Sequence, residues 1–251
     1  MEFPPSIHHQ PLMWGTVAYP GGPTMTADAS PPNPAGRLPS GRHGLTREAV
    51  MASQRARLIE AMAHVVAERG YAATTVADVV ERAGVSRRTF YEQFADKEAC
   101  FLAAYDTGLA AVLATIGQTA GAPISPGGAP PAGWRERARA GVVGFLDLLA
   151  AEPAFARALQ VEILTAGPAA LERRAGMLAT FSAVWRGVYE AARAEDPARP
   201  PLPDEVFAVL TAGIEELVRD RLRRDGPEAL PALAEPILHT VFAVFGDRPP
   251  A

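Results

Sequence analysis

Ser86, Arg87 and Arg88 follow directly behind Ala83-Gly84-Val85. The Ala-Gly-Val run leaves room for a tight turn between two short helical patterns. Ser86 restarts a helix, because its hydroxyl can accept one of the backbone N–H groups left unpaired at a helix start. The first exposed side chains of that helix are then Arg87 and Arg88. A guanidinium is a planar fork of donors that matches the acceptor pair on guanine's major-groove edge and the oxygens of a phosphate. A short helix offered end-on fits that groove. Phe90 and Phe94 are four apart and share the buried face. Thr89, Tyr91 and Gln93 remain toward the outside with the arginines. A plainer arrangement competes: Arg88 pairs with Glu92 at i,i+4 on a solvated face, and Tyr91 is merely half-buried.

For these side chains to reach a base, helices beneath must hold them. Residues 55–69 place Leu58, Ile59, Met62, Val65 and Val66 on one stripe at spacings of three and four. Gly70 ends that helix. Thr74 and Thr75 cap the next, whose Val76, Val79 and Val80 face inward. Asp96 caps a fourth helix, from Lys97 to about Gln118, which carries Phe101, Leu102, Tyr105, Leu109, Val112 and Ile116. The Pro- and Gly-rich stretch 121–133 is a loop. Further helices are expected over 134–151, 153–165, 168–195, 204–224 and 229–245, with Pro153 and Pro168 in first turns, where a missing N–H costs nothing. Nothing alternates with period two for long enough to be a strand. The fold class is all-α. Residues 47–95 form a three-helix head and 96–246 a larger helical body. Residues 1–46, rich in Pro, Gly, Ser and His, cannot bury enough apolar surface to offset their ordering entropy and read as a disordered arm. Arg37, Arg42 and Arg47 near its end are either incidental charges or a reach into an adjacent minor groove.

The totals narrow the function classes. With 251 residues and 48% hydrophobic content the chain can bury a real core. A net charge of −4 excludes a wholly basic coat for nucleic acid, so any DNA contact is local. Cys100 stands alone, which rules out a disulfide framework and suits a reducing cytosol. With no uninterrupted run of about 18 apolar residues and no charged start followed by an apolar stretch, neither a membrane span nor a signal peptide is expected. The expected location is cytoplasmic.

Gly70-Tyr71, Thr74-Thr75-Val76, Ala83-Gly84-Val85-Ser86, Thr89-Phe90-Tyr91, Phe94 and Lys97-Glu98 together resemble the N-terminal domain of TetR/AcrR-family transcriptional regulators. The resemblance runs without a gap over 52–112. It implies a helix-turn-helix at 75–94 and a homodimer on a palindromic operator of double-stranded DNA. It also implies repression relieved by a small, largely apolar effector bound in the body. Carried over by position, Thr75 and Ser86 resemble phosphate contacts, Arg87, Arg88 and Thr89 base-reading positions, and Tyr91 and Gln93 backbone or base contacts. Lys97 resembles the lysine that opens the fourth helix and touches a phosphate. Val80 departs from the pattern, which usually has alanine there. The fourth helix, moved like a lever, would change the separation of the two reading heads.

In the body, Phe181, Trp185 and Tyr189 recur every four residues and make one helix face an aromatic stripe. With Phe145, Phe155 and Glu162 they are the candidate ligand pocket, and Asp147 and Gln160 are further polar candidates; core packing is the competing explanation for each. Val206, Val209, Leu210, Gly213, Ile214 and Leu217 form one apolar stripe, and Ile237, Leu238, Val241, Phe242 and Phe245 another. Two copies of this pair would make a four-helix dimer bundle. A second reading keeps the DNA-binding head but makes the body only a dimer scaffold or a docking surface for another protein. An enzyme is not expected: the five histidines have no metal-ligand spacing, Cys100 has no catalytic partner pattern, and no phosphate loop follows a strand. No cofactor is expected.

Overall fold

The caps and turns of the head are local. In the computed structural model, which describes residues 46–121 and 133–246, Thr46 caps helix α1 (Arg47–Arg69) by accepting the Ala49 N–H at 3.2 Å. The expected arm, Thr46 apart, the loop 122–132 and residues 247–251 lie outside the described residues. Helix α2 (Val76–Ala83) opens on a capping box: Thr75 accepts from Asp78 N while the Asp78 carboxylate accepts from Thr75. The Thr75 hydroxyl and N–H donate to that carboxylate and hold it below the usual carboxylate range. Gly84 then takes φ +63°, a left-handed turn that a Cβ disfavours. Ser86 caps helix α3 (Arg87–Gln93) by accepting Thr89 N–H at 3.0 Å.

Leu58, Met62 and Val66 of α1, Val79 of α2 and Phe90 of α3 are fully buried together, so α3 rests on a small closed core. Helix α4 (Lys97–Gly121) leaves that core and enters the body. Its segment Lys97–Gln118 is long and apolar enough, by length and composition, to cross a membrane. The packing gives another reason for that apolarity: Cys100, Phe101 and Ala104 belong to the buried core shared with α1, and farther along Val112, Leu113 and Ile116 join the core of the body.

The body contains α5 (Trp134–Ala151), α6 (Pro153–Gln160), α7 (Pro168–Glu195), α8 (Asp204–Asp225) and α9 (Ala234–Val244). No strand occurs among the described residues. The fold is all-α. Two elements differ from the pattern in the sequence. The helix expected over 153–165 ends at Gln160 and continues as a 3-10 turn, Glu162–Leu164. The helix expected from 229 starts at Ala234, because Pro227 and Pro231, each lacking an N–H, set two 3-10 turns before it. Gly108 of α4 lies directly under the Phe155 ring, and a Cβ there would overlap it. Small size at that one position lets α6 approach α4.

The two apolar stripes proposed for association separate. Ile237, Leu238 and Val241 of α9 and Phe245 at its end are buried within the chain, where Phe245 meets the rings of Trp134, Tyr189 and Phe207. That stripe is therefore core rather than free surface. On α8, Leu210 turns inward, whereas Val209 is 73% exposed and Gly213 and Leu217 are also exposed.

Candidate DNA-binding face and interior cavity

Arginines of α1 fix the reading helix. Arg55 donates to the Gln93 carbonyl at 3.0 Å and lies 4.2 Å over the Phe94 ring. Arg57 donates to the Ala83 carbonyl at 3.1 Å, at the end of α2. Each pairs a cation with the C-terminal end of a helix, where carbonyls lack partners. Nothing local in the sequence marks these two residues, since their partners lie 38 and 26 positions away.

On the outer face Arg87, Arg88 and Tyr91 are exposed, with Thr89 and Gln93 at its half-buried edge. Arg88 does pair with Glu92 at 2.9 Å, but its side chain is 88% exposed. Such a pair contributes about 0.3–0.5 kcal/mol, too little to hold the guanidinium against a guanine or phosphate. Tyr91 is 59% exposed and braced edge-on by Phe90. Ser86 and Thr89 share a hydroxyl contact of 2.9 Å at the tip of the helix. Thr75 is also exposed, yet its hydroxyl and N–H both donate to Asp78.

Lys97 has a role the motif did not suggest. Its ammonium donates to the Tyr71 and Thr74 carbonyls at 2.9 and 3.0 Å and sits 4.2 Å over the Tyr71 ring. One of its three donors is left for a phosphate. Tyr71 is also held from the other side: its N–H donates to Glu162 of the body at 2.9 Å. Glu162 is almost fully buried and pairs with Arg157 of α6 at 3.3 Å. The turn between α1 and α2 is thus gripped by α4 and by the end of α6.

Between α4, α5, α7 and α8 lies a cavity of about 360 Å³. Phe145, Phe181 and Trp185 line it, together with Leu113, Ile116, Trp134 and Ile237. Phe155, Glu162 and Tyr189 are elsewhere. Phe155 packs on Gly108, Glu162 serves the head–body junction, and the Tyr189 hydroxyl donates to the Pro200 carbonyl at 2.6 Å. Asp147 is exposed, and Gln160 lines a small adjoining void. The polar lining consists of Arg137, Thr211 and Glu215, none of which the aromatic spacing pointed to. Burial pushes the Glu215 carboxyl above the usual range, against the opposing pull of a Gln160 hydrogen bond, Arg174 and Arg219. Cys100, whose thiol burial pushes up to about 12, is a packing residue.

Residues 58–104 match the family described as bacterial regulatory proteins, tetR family. The head of the chain is a TetR-family DNA-binding domain. The matched stretch spans α2, the Gly84 turn and α3, so the exposed arginines sit on the second helix of a helix-turn-helix. Solved structures of the same shape include the transcriptional regulator FadR of Bacillus subtilis, in complex with stearoyl-CoA. It is 19% identical over 74% of this chain and 96% of that one, with a TM-score of 0.64. The fatty acid degradation regulator FadR of Bacillus halodurans is also 19% identical, over 76% and 98%, with a TM-score of 0.64. A tetR-family regulatory protein of Rhodococcus RHA1 is 23% identical over 75% and 96%, with a TM-score of 0.57. At such identities the likeness shows the fold, head and body alike. No curated protein matches the sequence. A TetR-family regulator is a DNA-binding transcriptional regulator and not an enzyme.

Proposed function

We propose that this TetR-family chain is a cytoplasmic repressor that binds a palindromic operator as a homodimer and is released by a small, largely apolar effector in the body cavity. The observation that carries the reading is the course of α4. Its first residue clamps the Tyr71 turn of the head, and its Leu113, Ile116 and Gly117 line the cavity. A rigid helix of 25 residues is about 37 Å long, so a small shift at the cavity end reaches the head without loss. The stearoyl-CoA held by FadR of Bacillus subtilis supports the body as a ligand site.

In this reading Arg87, Arg88 and Thr89 face base edges. Ser86, Tyr91, Gln93 and the spare donor of Lys97 serve the backbone, and Thr75 reaches a phosphate by exchanging a bond with Asp78. Two half-sites about 34 Å apart fit the pair of α3 helices. The dimer forms through the outward face of α8, around Val209, Gly213 and Leu217. Selection from random duplexes at fixed salt would yield the half-site and its spacing. Arg88→Ala should then weaken the selected site by about 1–3 kcal/mol and relax one base position. Equal loss on selected and random DNA would mean that Arg88 holds only phosphate. For the effector, Trp134 and Trp185 line the cavity, so tryptophan fluorescence reports its filling. If no apolar compound changes fluorescence or operator binding, the body is a scaffold.

A further inference from the structure

The cavity has two unlike ends. Arg137 and Phe145 both line it on α5, eight residues or about 12 Å apart, so the space is elongated. At the Arg137 end the guanidinium is 37% exposed and already paired with Glu195 at 3.5 Å. At the Phe145 end the only ionisable lining group is Glu215, 4% exposed. Glu215, Phe145 and Phe181 also border the adjoining void lined by Gln160. Gln160 is 3% exposed and bonds to Glu215, yet its Oε1 has no partner among the described residues. Arg174 and Arg219 act on Glu215 through space, but neither lines the cavity, and Arg219 pairs with Glu216. The inner end of an otherwise apolar cavity therefore holds two acceptors, the Glu215 carboxyl and the Gln160 Oε1, and no cation lines that end. Beside them are two neutral hydroxyls, those of Thr211 and of Tyr105, whose O–H has no partner among the described residues.

We propose, on the reading that this cavity holds the effector, that the effector is an apolar amine whose nitrogen donates to Glu215 and Gln160 while its chain lies along Phe145, Phe181 and Trp185. An ammonium has three donors and no acceptor, the complement of two side-chain oxygens at the end of an apolar tunnel. A buried carboxylate gains a charge-assisted hydrogen bond from it, which offsets the cost of burying either charge alone. A carboxylate ligand would meet Glu215 with like charge or with a shared proton. A cavity of about 360 Å³ accommodates roughly a dozen heavy atoms at about 30 Å³ each, enough for a chain of about ten carbons and its nitrogen.

Decylamine, decanol and decanoate have the same chain and different heads. Titrated into the full chain below their aggregation limits and followed by tryptophan fluorescence, decylamine should bind at least tenfold more tightly than decanol, and decanoate more weakly than both. Glu215→Gln, which puts a neutral amide of the same shape in place of the carboxyl, should bring decylamine down to the affinity of decanol. If decanol or decanoate binds as well as decylamine to the unaltered chain, the amine assignment is wrong while the apolar cavity stands. The amine assignment is equally wrong if Glu215→Gln leaves the preference for decylamine intact. If none of the three binds, both the effector reading and this inference fall.

Discussion

Removing the Glu162 side chain tests how the head is fixed to the body. Its carboxylate accepts the Tyr71 N–H at 2.9 Å and is almost fully buried, so Glu162→Ala leaves that amide without its partner. Hydrogen bonds to charged groups contribute about 1.5–3 kcal/mol, and the half-buried position of Tyr71 argues for the lower part of that range. At about 2–4 °C per kcal/mol for a chain of this size, Tm should fall by roughly 3–6 °C. Glu162→Gln keeps an acceptor oxygen and loses only the charge and the Arg157 pair, so it should recover more than half of the loss. Hydrogen exchange followed by NMR gives the local readout. The Tyr71 amide should lose protection in Glu162→Ala by about tenfold, while the amides of α5 change only as much as global stability does. Equal melting temperatures for the Ala and Gln variants, or an unchanged Tyr71 amide, would refute the idea that this carboxylate ties the head to the body.

Three further outcomes are expected. Lys97→Ala should lower Tm as well as DNA affinity, because it strips both carbonyls of the Tyr71 turn. It should also reduce the slope of log affinity against log salt by about one; unchanged melting would leave Lys97 a phosphate contact alone. Gly108→Ala should cost about 1–3 kcal/mol or more, read by denaturant titration, because the added methyl overlaps Phe155; a neutral result would mean that α6 does not press on α4. Glu215 gives a pH signature. Its carboxyl titrates above the unfolded value of about 4.3, so its contribution is fully present below that pH and is lost as pH rises through the raised folded value. The Tm of Glu215→Gln, relative to the unaltered chain, should therefore climb from pH 4 to pH 8, and a flat difference would show that the carboxyl is not strained by burial.

The caps and paired aromatics of the reading head were legible because they are short-range, whereas the Arg55 and Arg57 braces that fix it, 38 and 26 positions from their partners, were not. Ser86 and Thr89, Thr75 and Asp78, and Phe90 and Phe94 lie three or four residues apart, spacings at which side chains on one helix or at its cap must meet. The all-α class followed from the same periodicity. The aromatic stripe on α7 was visible too, but its partners were not. Phe181 and Trp185 face the cavity while Tyr189 turns to Pro200 and Phe207, because the neighbouring helices cover one end of the stripe and leave the other open.

What the tertiary structure alone decided is long-range. Glu162 meets Tyr71 across 91 positions, which removes it from the pocket and makes it part of the junction. Burial of α9 against Trp134 turns an apparent association stripe into core and leaves α8 as the exposed face. Glu215, one position beyond Ile214 of the apolar stripe, is marked by nothing in the sequence until α5 and α7 close around it. Local order in a sequence fixes which groups lie on one helix face, whereas desolvation depends on which other helix covers that face. The sequence by itself therefore determined the exposed arginine helix of the helix-turn-helix, and only the packing of the body determined where its cavity lies and which polar groups line it.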